Sequence, residues 1–392
     1  MTEGNWPAPA TERPGPLSGV RILDLTVSGP GPYCTLILGS YGADVIHVSR
    51  AGKLDPTTDS THHSCDKRSI RIDLKAPAGV KIVKQLAASA DILLEGFRPG
   101  VMERLGLGPD ILMEGNPRLV YVRMTGFGQT GAYAGEPGHD INYIGIGGAL
   151  SAVGRDQPTP PMQLLGDFAA GSFVAAINIF AALRDRDVRG VGGVIDTNIA
   201  DGAAMLVHSL LHASPRAGGV GIKELLDGTA PFYRTYRCAD GKWFSVGAIE
   251  PKFYANLLRG LDLADDPVAK RQYDEAVWPE IAEIFEKRFA ERTRAEWSER
   301  LVHIEACAFP VLVPAELADD PHLAERETAT RRNGQGHVAR AGRYVGEPAT
   351  QFGPTCRTGE HTDSILAGIG YDDAGIAQLH AQGAVQGMPR AE

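Results

Sequence analysis

Three short stretches carry residues able to move a proton. Gly138-His139-Asp140-Ile141-Asn142-Tyr143 sets an imidazole between a glycine and a carboxylate, after a Gly- and Pro-rich loop and before the apolar run Ile144 to Ala149. Histidine titrates near neutrality, so an imidazole held in a fixed pose suits giving or taking a proton there. Gly166-Asp167-Phe168-Ala169-Ala170-Gly171 puts a carboxylate just ahead of a long apolar helix. An Asp at that place caps helices well. The helix dipole would lower its basicity unless apolar neighbours such as Leu165 and Phe168 raised it again. The third stretch is Val246-Gly247-Ala248-Ile249-Glu250-Pro251, where a Glu follows an apolar strand. A carboxylate there can orient an imidazole, as the third member of a catalytic triad does. We read His139 and Asp167 as facing each other across a carbon acid, with Glu250 supporting one of them. Each also has a plainer reading: a hydrogen-bonded loop histidine, an N-cap aspartate and a helix-start glutamate.

These residues need a scaffold, and the chain spells out an α/β one. Gly19 to Leu25 is an apolar strand, Ser28-Gly29-Pro30-Gly31-Pro32-Tyr33 a sharp turn, Thr35 to Tyr41 a helix and Ala43 to Val48 a second strand. Further strands are expected at Ser69–Leu74, Asp91–Phe97 and Leu119–Met124, with an amphipathic helix over Pro77–Ala88. Strands alternating with helices point to a parallel sheet with right-handed crossovers. Periodicity carries this pattern to about residue 125. The first turn is a poor dinucleotide loop, because Pro30 and Pro32 delete two of the N–H donors a pyrophosphate would need. It reads as a rigid corner. Ser172 to Leu183 and Ala200 to Ala213 are apolar helices. Two β-rich runs around Ala239-Asp240-Gly241-Lys242 then give a hairpin signal, followed by helices over Lys252–Gly260, Trp278–Ala290 and Arg294–Val302. That change of pattern marks a second, α+β domain over residues 228–315. Residues 1–17 read as a disordered leader, 18–200 and 333–392 as the large domain, and 201–227 and 316–332 as linkers.

A chain of 392 residues is long for one domain, which agrees with two. The net charge of −9 argues against a nucleic-acid partner. No uninterrupted apolar run reaches the roughly 18 residues a membrane helix needs, and no membrane partner is expected. Five scattered cysteines, without a CxxC, form neither a disulfide framework nor a zinc site, so no metal is expected and a reducing cytoplasm is the expected compartment. Against the acidic balance, Arg50, Lys67, Arg68, Arg71, Lys75, Arg98, Arg104 and Arg123 crowd the first α/β region. Ligands bind at strand ends in open α/β sheets, and such an excess fits a phosphate-bearing ligand.

The motifs also carry a resemblance. The His139, Asp167 and Glu250 stretches, with Leu226-Asp227-Gly228-Thr229-Ala230-Pro231-Phe232-Tyr233, Gly29-Pro30-Gly31-Pro32, Arg98-Pro99-Gly100-Val101-Met102-Glu103-Arg104-Leu105-Gly106 and Gly359-Glu360-His361-Thr362, resemble the alpha-methylacyl-CoA racemase branch of the class III CoA-transferase (CaiB/BaiF) superfamily. The resemblance spans residues 18 to about 385. It implies a Rossmann-like large domain with a parallel sheet, a smaller α+β domain and an interlocked homodimer in which Glu250 reaches the partner's site. It implies an acyl-CoA substrate and no separate cofactor, CoA being part of the substrate. His139 and Asp167 would serve opposite faces of C2 in a 2-methylacyl-CoA thioester. Arg50, Ile72, Asp73, Leu74, Lys75, Gly138, Asp140, Ile141, Asn142 and Tyr143 would contact CoA, with Arg98 as a further phosphate contact. The reaction also needs donors to the thioester oxygen, for which backbone N–H groups at the Asp167 helix start are candidates. The alternative within the same superfamily is a CoA-transferase with Asp167 as nucleophile, which gives His139 and Glu250 no role.

Overall fold

Alternation along the early strands decides the architecture. The computed structural model describes residues 6–8, 14–52, 63–213, 225–332 and 334–388. Strands β1 (Arg21–Asp24), β2 (Asp44–Arg50), β3 (Lys67–Ile72), β4 (Ile92–Glu95), β5 (Val120–Thr125) and β6 (Gly193–Asn198) run parallel. Successive side chains on a strand point to opposite faces. Ile22, Val45, Ile92, Leu94, Val120 and Val122 therefore pack on one side, against the helices Pro30–Ser40 and Val174–Arg189. Leu23, Ile46, Ile70, Ile72, Leu93 and Tyr121 pack on the other, with Pro77–Ala87 and the C-terminal helices Thr362–Gly368 and Asp373–Ala381. A sheet covered on both faces needs apolar residues at both parities, which is why central strands such as β1 and β4 read as nearly continuous apolar runs.

Numbering the other strands in chain order, β12 (Val385–Gln386) pairs antiparallel with β3, and the sheet order is β12-β3-β2-β1-β4-β5-β6. The order reverses between β1 and β4. In open α/β sheets the ligand crevice lies outside the carboxyl ends of the strands at such a reversal.

The chain divides into two compact units, residues 1–150, 160–213 and 339–392, and residues 151–159 and 214–338. In the second, β7 (Tyr233–Arg237), β8 (Trp243–Gly247) and β9 (Ala308–Val311) form an antiparallel sheet. Helices Pro251–Gly260, Trp278–Phe289 and Arg294–Leu301 cover it around Tyr236, Phe244, Phe285, Phe289 and Trp297. The unit also holds β10 (Ala329–Arg332), paired with β11 (Gln335–Val338).

Several expected boundaries move. The parallel pattern continues past residue 125, because β6 adds beside β5 after a long crossover that contains the His139 and Asp167 stretches. Residues 201–213 are no linker: Ile199–Leu206 and His208–Ala213 are helices of the large unit. Residues 316–332 belong to the second unit, where Pro321–Glu325 and β10 use them. The expected leader is partly ordered. Trp6 packs on the core beside β3 and donates from Nε1 to Asp44 Oδ2 at 2.6 Å, and Leu17 is buried. The rest of that segment, residues 1–5 and 9–13, lies outside the described residues. The helical stretch Leu164–Arg189 is by length and composition long and apolar enough to cross a membrane. Its buried Ala175, Ala176, Ile179 and Leu183 lie instead in the core against the sheet.

Beneath the first turn sits a buried charge. Asp24, the last residue of β1, is fully buried and accepts from Thr26 N–H at 3.0 Å and from the Thr26 and Thr35 hydroxyls at 2.5 Å each. Lys67 Nζ lies 3.3 Å from Asp24 Oδ2 and also donates to Pro32 O at 2.8 Å and Thr35 Oγ1 at 2.7 Å. Burial alone would push the Asp24 carboxyl up, but Lys67, His47 and these donors hold it well below the usual carboxylate range. The network ties β1, β3 and the start of the Pro30–Ser40 helix into one corner. Replacing Lys67 by Met would leave the Asp24 charge buried without its lysine partner, an expected loss of ~3–5 kcal/mol. Urea unfolding checks this, and the Asp24→Asn/Lys67→Met double variant should lose clearly less than the sum of the singles.

Candidate active site

Asp167 stands in the first turn of a π-helix, Leu164–Phe173, that runs directly into the helix Val174–Arg189. It is therefore not the N-cap expected from the sequence. Wider π turns inside a longer helix recur at functional sites. Here Ser172, five residues on and buried, donates to Asp167 O at 2.9 Å and to Pro30 O at 2.8 Å. Two close approaches fix the surroundings. A Cβ on Gly166 would lie 2.3 Å from Asp140 Oδ1, so only glycine lets the Asp140–Ile146 helix come this near. Gly29, at φ +68, would put its Cβ 3.1 Å from Asp167 Oδ2. The Gly29-Pro30 turn is thus one wall of the site as well as a rigid corner.

The Asp167 N–H donates to Asp140 Oδ1 at 2.6 Å. That amide is committed to Asp140, which removes it from the candidate donors to a thioester oxygen. Burial first, and then the negative charge of Asp140, push the Asp167 carboxyl up to about 6, against an opposing pull from His139. A carboxyl poised there is a stronger base than an ordinary aspartate and still an acid near neutrality. The ring of Phe168, next in the chain, lies 4.3 Å from that of Tyr33, and Tyr33 also meets Phe173 edge-on at 6.1 Å.

His139 is the N-cap of the Asp140–Ile146 helix, and its exposed side chain is close enough to act electrostatically on Asp167. Its backbone N–H donates to Asn142 Oδ1 at 3.0 Å, so Asn142 holds the turn that presents the imidazole. Tyr143 OH donates to Gly138 O and pins the residue before His139. The Tyr143 ring meets Phe127 edge-on at 4.9 Å. Burial, then the charge on Asp167, raises the Tyr143 phenol, while Arg98 lowers it, so Arg98, Tyr143 and Asp167 share one neighbourhood. Glu250 belongs to the second unit, at the N-cap of Pro251–Gly260. Its exposed side chain makes no capping hydrogen bond, and its charge is felt at the Cys307 thiol. Capping is therefore not what its carboxylate does.

The basic cluster separates into two groups. Lys67 is buried on Asp24, Arg68 pairs with Asp44 at 2.6 Å, Arg71 donates to Gly52 O and Gly387 O, and Arg123 donates to Glu103 and to Gln129 at 2.8 Å. These four hold the fold together. Arg50, Lys75, Arg98 and Arg104 are exposed. Arg50 closes β2 opposite Ile72 at the end of β3, and Arg98 follows β4, so both lie at the carboxyl edge of the sheet. Asp73 and Leu74 form the turn between Ile72 and Lys75, where Asp73 Oδ1 accepts the Lys75 N–H at 2.9 Å. The Ile72 side chain is wholly within the core, which leaves only its backbone for any ligand. Ile141 is 44% exposed beside His139.

The fold and this edge define a doubly wound α/β enzyme scaffold with an imidazole and a perturbed carboxyl beside its crevice. A profile of CoA-transferase family III matches residues 17–362, and the chain belongs to that family. Among curated proteins it is similar to the alpha-methylacyl-CoA racemases of Mus musculus, 39% identical over 94% of this chain and 97% of the relative, and of Homo sapiens, 40% identical over 93% and 96%. A CAIB/BAIF family protein from Brucella suis shares the fold at a TM-score of 0.79 and 23% identity, covering 91% of this chain and 100% of that one.

The raised Asp167 carboxyl makes a stability prediction with a definite sign. Unfolded, the group ionises near 3.8; folded, near 6. Between those values the folded state binds more protons, so Asp167 costs stability as pH rises through that window. Two units correspond to about 2.7 kcal/mol, which solvent screening at a partly exposed group reduces to roughly 1–2. Asp167→Asn should therefore stabilise the protein at pH 7.5 by about that amount and leave it unchanged near pH 3.5, as measured by denaturant unfolding at both values.

Proposed function

We propose that this protein is an alpha-methylacyl-CoA racemase, interconverting the (R) and (S) forms of 2-methylacyl-CoA thioesters by 1,1-proton transfer at C2. The observation that carries the reading is the pairing of His139 with a carboxyl held at about 6 in one small volume, in a chain near 40% identical to curated racemases over almost its whole length. One group takes the C2 proton and the thioester becomes an enolate. The other group, already protonated, returns a proton to the opposite face. No electron changes hands, and the two groups exchange roles for the reverse reaction. A carboxyl raised to about 6 suits this, since each group must act both as acid and as base. The exposed cations Arg50, Lys75 and Arg98 at the carboxyl edge suit the phosphates of CoA. The His139 stretch supplies the remaining contacts, through Gly138, Asp140, Ile141, Asn142 and Tyr143.

The active form is a homodimer in which Glu250 of one subunit completes the site of the other. The large unit supports this with a run of exposed apolar side chains, Phe173, Ile177, Met205, Leu206 and Leu211, on consecutive helices. Apolar surface of that kind marks an interface.

Two experiments test the reading. His139→Ala should lower racemisation by about 10²–10⁴-fold. A CoA-transferase acting through Asp167 alone would instead keep moving CoA to an added carboxylate, and retained transfer would overturn the racemase. The second experiment mixes inactive His139→Ala and Glu250→Gln subunits after unfolding and refolding together. If Glu250 acts across the interface, each mixed dimer regains one intact site, and random pairing restores about a quarter of the wild-type rate. No recovery would place Glu250 in the site of its own subunit.

A further inference from the structure

The strand order reverses between β1 and β4, and the turn after β4 forms one lip of the crevice there. A Cβ on Gly96 would lie 3.7 Å from Thr26 Cγ2, so the turns following the two strands are close neighbours. Arg98 stands on this turn. What shapes it is Glu95, the last residue of β4, which is only 2% exposed. Its Oε2 accepts the Phe97 N–H at 2.7 Å and so closes the chain back on itself. Behind it runs a row of charges in strand register, Glu95 opposite Arg123 on β5 and Arg123 opposite Asp196 on β6. Glu95 Oε1 lies 3.9 Å from Arg123 Nε, a buried nitrogen with no hydrogen-bond partner of its own. Asp196 Oδ2 in turn accepts the Gln129 N–H at 3.0 Å, and Gln129 Oε1 accepts from Arg123. The row therefore joins the turn that carries Arg98 to the Thr125–Gln129 turn, whose Phe127 packs on Tyr143.

A buried carboxylate costs free energy unless its bonds repay it. Glu95 has one hydrogen bond and one long ion pair. Arg123 would keep Glu103 and Gln129 without it. The fold has little need of this carboxylate, whereas the turn depends on it.

We propose that Glu95 is a positioning residue for the CoA end of the substrate: by accepting the Phe97 N–H it fixes the Gly96–Gly100 turn and holds Arg98 towards the crevice. The inference rests on the acyl-CoA reading and deepens it. Glu95 touches no reacting atom, so its removal should affect binding and leave the proton transfer alone.

Glu95→Met keeps the volume and deletes the acceptor, while Glu95→Gln keeps an amide oxygen for Phe97. Binding of coenzyme A itself, by titration calorimetry, gives a readout that does not require turnover. Glu95→Met should weaken CoA binding by about tenfold and raise the acyl-CoA KM by a similar factor, with kcat within about threefold. Glu95→Gln should bind within about threefold of wild type. The Glu95→Met/Arg98→Ala double variant should be no weaker than Arg98→Ala alone, because both changes remove the same contact. Should Glu95→Met fail to melt like the wild type, Glu95→Ala carries the same comparison. Unchanged CoA affinity in a folded variant, a Gln variant as weak as Met, or losses that multiply with Arg98→Ala would each overturn the inference. A wild type that does not bind CoA would remove the acyl-CoA reading first, and this inference with it.

Discussion

One hydrogen bond organises the chemistry, from the Asp167 N–H to the Asp140 carboxylate at 2.6 Å. It fastens the π-helix to the short helix whose N-cap is His139, and so places His139 and Asp167 in one neighbourhood. It also puts a negative charge beside Asp167, which adds to burial in lifting that carboxyl to about 6. The same contact thus sets both the geometry and the proton affinity of the site. Its requirements propagate outwards. Gly166 must lack a side chain for Asp140 to come close, and Ser172 must span the π turn to reach Pro30.

The sheet supplies the other half of the site. Its reversal between β1 and β4 opens a crevice at the carboxyl edge, and the cations of the first α/β region divide by partner. Those with carboxylate or carbonyl partners, Lys67, Arg71 and Arg123, are internal struts. Those left exposed, Arg50, Lys75 and Arg98, are free to meet a ligand's charge. A destabilising carboxyl at Asp167 and a buried one at Glu95 are what such a site costs in stability, offset by the two apolar cores on either face of the sheet.

Much of this was legible in the sequence, and the reasons differ by element. Strands β1, β2, β4 and β5 were visible through short apolar runs, as sheets covered on both faces demand, and β3 through the alternation from Ser69 to Leu74. The hairpin of β7 and β8 announced itself through Asp240-Gly241, which favours a tight turn. His139 and Asp167 stood in separate motifs, and the large unit brings them close enough to interact electrostatically. What escaped was set by tertiary context. β6 follows the long crossover and begins with Gly193, so nothing local marks it as a continuation of the sheet. Asp167 looked like an N-cap because a Gly precedes it and an apolar helix follows; the π turn that replaces the cap is fixed by Ser172 and by Asp140, 27 residues away. The surplus of arginines looked uniform because pairing across strands, such as Arg123 with Glu95 and Glu103, leaves no trace in local spacing. Trp6 was lost in a Pro- and Thr-rich leader although one half-buried aromatic is enough to anchor a segment.

The central claim is that the site moves a proton between the two faces of one carbon. The most direct measurement is to incubate a single enantiomer of a 2-methylacyl-CoA with the wild-type protein in D2O, following deuterium at C2 by mass and configuration by chiral analysis. Uptake of one deuterium together with loss of configuration is the predicted result. Retained configuration without deuterium, while CoA passes to an added carboxylate, would contradict the account and make Asp167 a nucleophile.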